Sequence, residues 1–73
     1  MNRGMNTLAE AMVYALHTAN QGLTTQDLAD VINLGGLYLR RDGQRVTSLQ
    51  IHWVVKRNPA IFCRDGGLIR FIG

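Results

Sequence analysis

Pro59, the single proline of the chain, separates a part with helical periodicity from a short part with the pattern of a β-hairpin. The residue before a proline is pushed out of the helical region, so a preceding helix has to end near Arg57 or Asn58. Beyond it, residues 61–72 read as a strand, a glycine-containing tight turn and a second strand. Because an isolated hairpin is only marginally stable, this one has to pack against the helices that precede it.

Three helices are predicted before the hairpin, over about residues 7–20, 25–34 and 48–58. The first and the third open with capping-box spacing, in which a threonine is followed three residues later by a glutamate or a glutamine: Thr7 with Glu10, and Thr47 with Gln50. Thr25 is the expected N-cap of the second helix, after a one- or two-residue extended segment at Leu23 and Thr24. The expected order is therefore helix, helix, helix, hairpin.

Glycines mark the expected ends of the first two helices, and apolar residues at helical spacing mark their buried sides. Gly22 is predicted to stop helix 1, and Gly35 with Gly36 to stop helix 2. The expected core residues of these helices are Leu8, Met12, Ala15, Leu16 and Ala19 in helix 1 and Leu28, Val31 and Ile32 in helix 2.

The size of the chain limits it to one domain, expected to cover residues 1–73. A composition of 47% hydrophobic and 18% charged residues is typical of a globular domain. Cys63 is the only cysteine, which excludes an internal disulfide and a zinc site with four thiolates. No apolar run approaches the roughly 20 residues of a transmembrane helix. We expect a soluble protein of the cytoplasm, associated with the nucleoid, or of the nucleus.

Charge is distributed unevenly along the chain. Residues 1–36 contain one arginine and three acidic residues, a net charge of −2, whereas residues 37–73 contain seven basic and two acidic residues, a net charge of +5. Such an asymmetry suggests that one face binds a polyanion. A solvated basic surface with no partner is the alternative.

The predicted fold class is α+β: a winged helix, in which a three-helix helix-turn-helix bundle is followed by a C-terminal β-hairpin. Residues 23–71 resemble the HARE-type helix-turn-helix, a winged-helix module of chromatin regulators, RNA polymerase accessory subunits and restriction-type nucleases. The likeness lies in four short segments: Leu23-Thr24-Thr25, Gly36-Leu37, Asp42-Gly43 and Asn58-Pro59-Ala60-Ile61-Phe62. It implies binding to DNA, or docking on a protein machine that handles DNA, without catalysis.

Helix 3 is predicted to have two different faces. At about 100° per residue, one arc is aliphatic and belongs to the core, and the opposite arc combines an aromatic residue with cations. Helices in this position enter the major groove in helix-turn-helix proteins. Gln50 is suited to pair with adenine, and the basic side chains are suited to contact phosphates. The predicted core arc is Ile51, Val54, Val55 and Asn58, and the predicted DNA-binding residues are Arg40, Arg41, Arg45, Ser48, Gln50, His52, Lys56, Arg57, Arg64 and Arg70.

Leu49 and Trp53 leave two alternatives open. They pack under the loop at residues 40–45 or against helix 1, or they form a surface for a protein partner or a second copy of the chain. Solvent exposure of helix 3 separates the two. A buried Trp53 leaves a polar, cationic face and favours DNA, whereas an exposed apolar patch of Leu49 and Trp53 favours a protein partner.

Catalytic and metal-binding patterns are not evident in the sequence. It shows no glycine-rich phosphate loop, no paired acids near a base and no Ser/His/Asp set. We therefore expect a non-enzymatic module with no cofactor, no bound metal, no small-molecule substrate and no membrane contact, whose partner is duplex DNA or, in the alternative, a protein.

Overall fold

Three helices followed by a two-stranded antiparallel hairpin make up the computed structural model, which describes residues 7–72. The elements are α1 (Leu8–Ala19), α2 (Thr25–Gly35), α3 (Ser48–Arg57), β1 (Phe62–Asp65) and β2 (Leu68–Phe71). The α+β class and the predicted order of elements are confirmed, and the arrangement is compatible with a winged-helix layout. No helix within residues 7–72 has both the length and the apolar character needed to cross a membrane.

Threonine caps begin all three helices. Both predicted capping boxes form: Glu10 N donates to Thr7 Oγ1 at 3.1 Å, and Gln50 N donates to Thr47 Oγ1 at 3.3 Å. The predicted cap of α2 is wrong by one residue, because Thr24 and not Thr25 accepts from Asp27 N, at 3.0 Å. Thr24 has the extended backbone of an N-cap, while Thr25 is already the first helical residue.

The predicted stop residue of α1, Gly22, is wrong, although the helix ends within one residue of the predicted position 20, whereas the predicted stop of α2 is confirmed. Asn20 has the left-handed conformation (φ 56°), and its N–H donates to Leu16 O at 3.0 Å. Asparagine tolerates this conformation better than other side chains, so no glycine is needed there. Gly22 instead lies against β2, where a Cβ would be only 3.1 Å from Cβ of Leu68. Gly36, at φ 61°, ends α2.

One hydrophobic core joins the helices and the hairpin. Two predicted members are wrong: Ala19 and Val31 are exposed, and Ala11 and Ala29 are buried in their place. The buried set is Leu8, Ala11, Met12, Ala15, Leu16, Leu23, Leu28, Ala29, Ile32, Val46, Ile51, Val55, Phe62 and Ile69.

The hairpin is attached to the turn between α1 and α2. Its strands pair in the register Phe62↔Phe71, Cys63↔Arg70, Arg64↔Ile69 and Asp65↔Leu68. The predicted short extended segment at Leu23 forms a single antiparallel bridge to Ile69, with the Leu23 N–H donating to Ile69 O at 3.1 Å and the Ile69 N–H donating to Leu23 O at 2.6 Å. Strand β2 therefore has a backbone partner along each edge, β1 on one side and Leu23 on the other.

The connection from α2 to α3 is held by the side chain of Asn33. Its Nδ2 donates to Val46 O at 2.8 Å, and Val46 N donates to its Oδ1 at 2.9 Å. The predicted turn at Asp42 and Gly43 is confirmed by a hydrogen bond from Gly43 N to Arg40 O at 3.1 Å. Asn33 thus fixes where the loop returns to the core, immediately before α3 begins.

Candidate nucleic-acid interface

Helix α3 has the two faces that its sequence predicts. Ile51 and Val55 are fully buried, and Val54 and Asn58 are half-buried at the edge of the core arc. The Asn58 Nδ2 donates to Val54 O at 2.8 Å, which satisfies its amide where the helix ends. The phase of the helix is therefore confirmed.

The opposite face of α3 is open to solvent. Leu49 is 61% exposed and Trp53 is 50% exposed, and Lys56 and Arg57 are also exposed. The interpretation that Leu49 and Trp53 pack under the loop or against α1 is wrong. The loop contacts the flank of α3, where Arg40 meets Gln50, and Leu49 and Trp53 stay exposed.

Arg40 and Gln50 join the loop to the first turn of α3. The Arg40 guanidinium donates to Gln50 Oε1 at 3.1 Å, to Arg45 O at 3.3 Å and to Asp42 Oδ2 at 2.6 Å. Gln50 Oε1 also accepts from Thr47 N at 3.1 Å. Both side chains were predicted to contact DNA, and the structure places them in a network that shapes the loop. Ser48, predicted with them, lies half-buried in the first turn of α3.

The two arginines of the hairpin lie on opposite faces. Side chains alternate along a strand, so Arg64 lies on the same face as the buried Phe62, and Arg70 lies on the face opposite to Ile69. The Arg64 guanidinium hydrogen-bonds Nδ1 of His52, which places the hairpin beside the exposed face of α3. Arg70 instead pairs with Asp65 at 3.1 Å. It also lines an open groove of about 270 Å³ between the end of α1 and β2.

The loop and the hairpin border the exposed face of α3 on its two sides. Gln50, at the contact with the loop, and His52, at the contact with the hairpin, lie about 160° apart around the helix axis at 100° per residue. Trp53 lies between them. The loop and β1 therefore lie on the two sides of the exposed face of α3, each joined to the helix by one side-chain contact.

The loop, α3 and β1 carry cations without acidic partners. The two acidic residues of the loop and the hairpin, Asp42 and Asp65, are each paired with an arginine, and no other ion pair occurs within residues 7–72. We use the name basic face for the exposed cations of the loop, α3 and β1 that have no acidic partner: Arg41, Arg45, Lys56, Arg57 and Arg64. Lys56 and Arg57 belong to the exposed side of α3, Arg64 contacts His52 beside it, and Arg41 and Arg45 lie in the adjoining loop. The exposed acidic residues of the helices lie on α1 and α2 (Glu10, Asp27 and Asp30), so the predicted separation of charge along the chain is also a separation between elements.

The predicted DNA-binding set contains every member of the basic face. It also contains Arg40, Gln50 and Arg70, whose side chains are hydrogen-bonded within the protein. For Arg70, the distinguishing signal is the alternation of side chains between the two faces of a strand. Using this signal requires the pairing register of the hairpin. The residues described, 7–72, contain no group of three histidine, cysteine or acidic side chains placed to hold a metal ion.

Comparison with protein-family models, with curated proteins and with solved structures finds no match to this chain.

Proposed function

We propose that this chain is a non-enzymatic winged-helix module that binds duplex DNA through α3 and the flanking loop and hairpin. The supporting observation is the contact of Arg64 with His52, which sets the hairpin beside the exposed face of α3 and adds a hairpin cation to Lys56 and Arg57. In helix-turn-helix proteins, the helix in this position lies in the major groove and its flanks contact the backbone. The resemblance to the HARE-type module belongs to the same proposal, with transcription, chromatin or a restriction-like system in the cytoplasm or nucleus as its setting.

The exposure of Leu49 and Trp53 is, by the criterion stated above, a point in favour of a protein partner. Cations beside the Trp53 ring have to be considered together with this exposure. Lys56 Nζ lies 5.8 Å from the centre of the Trp53 ring, and Arg57 follows on the same side of the helix. An apolar patch within a cluster of unpaired cations suits an anionic partner, so we place DNA first.

The test of DNA binding is a fluorescence-anisotropy titration of the protein against a labelled random duplex at several salt concentrations. Each phosphate contact contributes about −0.9 to the slope of log affinity against log salt concentration, so three to five contacts predict a slope of roughly −3 to −5. An affinity that does not change between about 50 and 200 mM salt, or no binding at the lower concentration, contradicts the proposal.

Arg64 and Arg70 provide a matched pair of variants within the hairpin. We expect Arg64→Gln to weaken DNA binding and to reduce the salt slope by about one, because Arg64 belongs to the basic face. Arg70→Gln should bind nearly as the wild type does, because Arg70 lies on the other face and is paired with Asp65. Equal losses in the two variants would show that the basic face does not orient the DNA.

A protein-interaction module is the second candidate. The exposed Leu49 and Trp53 lie one helical turn apart on α3 and form a small apolar patch. Central aromatic residues often dominate protein interfaces. In this case Trp53→Ala would keep its fold, bind duplex DNA normally and lose self-association in sedimentation velocity. If Trp53→Ala sediments as the wild type does at every concentration, self-association through this patch is excluded.

A further inference from the structure

The Trp53 ring has an aromatic and a cationic neighbour and presents half of its surface to water. The His52 ring packs edge-on against it, with centroids 5.5 Å apart and planes at 68°, and Lys56 Nζ lies 5.8 Å from its centre. The Lys56 distance is close to the outer limit of a cation–π contact. Trp53 is thus an exposed aromatic surface with a cation next to it.

The charges around Trp53 restrict what can cover it. A second copy packed on the same patch with twofold symmetry would bring Lys56, Arg57 and Arg64 of each molecule close to those of the other. Like charges placed opposite each other oppose such a contact. A nucleotide has the complementary chemistry, because its base is a flat aromatic ring and its phosphate is an anion.

A base is available for stacking only where it is unpaired, because in an intact duplex each base already stacks on its neighbours. We propose that Trp53 stacks on an unpaired base, and that the module prefers a duplex that adjoins single-stranded DNA to a blunt duplex. This inference rests on the proposed DNA binding and adds the structural state of the DNA to it. Proteins that bind single-stranded nucleic acid stack unpaired bases on aromatic residues beside cationic side chains, with little dependence on sequence.

The experiment uses the intrinsic fluorescence of the whole chain, since Trp53 is its only tryptophan. The protein is titrated with three DNAs that contain equal numbers of phosphates: a blunt duplex, a duplex with a single-stranded overhang and a single strand. We expect the overhang and the single strand to quench Trp53 emission and the blunt duplex to quench it weakly. We also expect the overhang to bind at least about fivefold tighter than the blunt duplex, the lower end of the effect of one stacked base.

Two variants, Trp53→Phe and Trp53→Ala, test whether the preference for the overhang depends on an aromatic ring at position 53. Leu49→Ala is the control, because it removes an apolar side chain from the same face of α3. Trp53→Phe should keep part of the preference for the overhang, and Leu49→Ala should keep most of it. Trp53→Ala should lose the preference while its affinity for the blunt duplex stays within about twofold. Circular dichroism establishes that each variant is folded, and anisotropy of labelled DNA reports binding by the variants that lack tryptophan.

The outcomes distinguish this inference from the proposed function. If the wild type binds no DNA, both fail. If it binds the blunt duplex and the overhang equally, or if Trp53→Ala keeps the preference, duplex binding stands and base stacking is overturned. Concentration-dependent self-association that is lost only in Trp53→Ala would assign the patch to a second copy and also overturn base stacking.

Discussion

At the N-terminal end of α3, Oε1 of Gln50 accepts two hydrogen bonds at once, from Thr47 N and from the Arg40 guanidinium, each at 3.1 Å. Bidentate recognition of adenine requires the same oxygen as an acceptor. Gln50 would therefore have to release both donors in order to read a base. Its position on the helix is suited to DNA contact, but its hydrogen bonds make it a support for the loop and for the helix start.

The first prediction concerns the stability effect of Gln50. We expect Gln50→Ala to lower the free energy of unfolding by about 1 kcal/mol, because the substitution removes half of a capping box and leaves Thr47 N without its partner. Gln44→Ala is the control, since only the backbone N–H of Gln44 is hydrogen-bonded, to Asp42 Oδ1 at 3.0 Å. Urea denaturation measures both. If the urea unfolding curve of Gln50→Ala overlays that of Gln44→Ala, the capping box makes no net contribution to the free energy of unfolding.

At the scale of elements, two adjacent glycines at the end of α2 have different requirements. Gly35 is the last helical residue, and a Cβ there would meet Leu37 Cγ at 3.4 Å, an ordinary contact. Gly36 has the left-handed conformation, and a Cβ there would meet nothing within 4 Å. The need for glycine at position 36 is therefore one of backbone conformation alone.

This difference predicts opposite effects of the same substitution at neighbouring positions. Gly35→Ala should stabilise the domain by roughly 0.5 kcal/mol or more, since alanine favours the helix over glycine. Gly36→Ala should destabilise it by about 1–2 kcal/mol, since an alanine in the left-handed region is strained. Thermal unfolding followed by circular dichroism measures both. Shifts of the melting temperature in the same direction would show that the end of α2 is placed incorrectly.

How far the elements can be predicted from sequence depends on whether the signal is local. The threonine caps and Gly36 act on neighbouring residues, and the sequence locates them to within one position. Gly22 and Asn20 are both residue types that often end a helix, and the structure assigns this role to Asn20. Gly22 instead allows close packing against Leu68 of β2, a contact between residues distant in sequence. The exposure of Trp53 likewise depends on the path of the loop, which is set by the contact between Asn33 and Val46.

At the scale of the whole molecule, the hairpin is part of the core and not an appendage. Phe62 is 2% exposed and belongs to the same cluster as the buried side chains of all three helices, whereas its cross-strand partner Phe71 is 42% exposed. A domain of this length has a small reserve of stability, about 3–5 kcal/mol. Loss of a single buried aromatic ring is therefore comparable with the total.

The two phenylalanines test this point. Phe62→Ala should cost about 3–5 kcal/mol and leave most of the protein unfolded at room temperature, while Phe71→Ala should shift the melting temperature only modestly. The dispersion of amide signals in NMR spectra of the two variants gives the readout. A well-dispersed spectrum for Phe62→Ala would mean that the helices form a stable bundle without the hairpin.

The bridge between Leu23 and Ile69 affects the kinetics of folding. It pairs the connection between α1 and α2 with β2, and so joins residues that are far apart in sequence. A contact of this kind requires the closure of a long loop before it returns any stabilisation, and proteins rich in such contacts fold more slowly than helical bundles. The helices can begin to form independently of one another, but the native backbone pairing is complete only when Leu23 meets Ile69. This chain should therefore fold more slowly than a three-helix bundle of the same length.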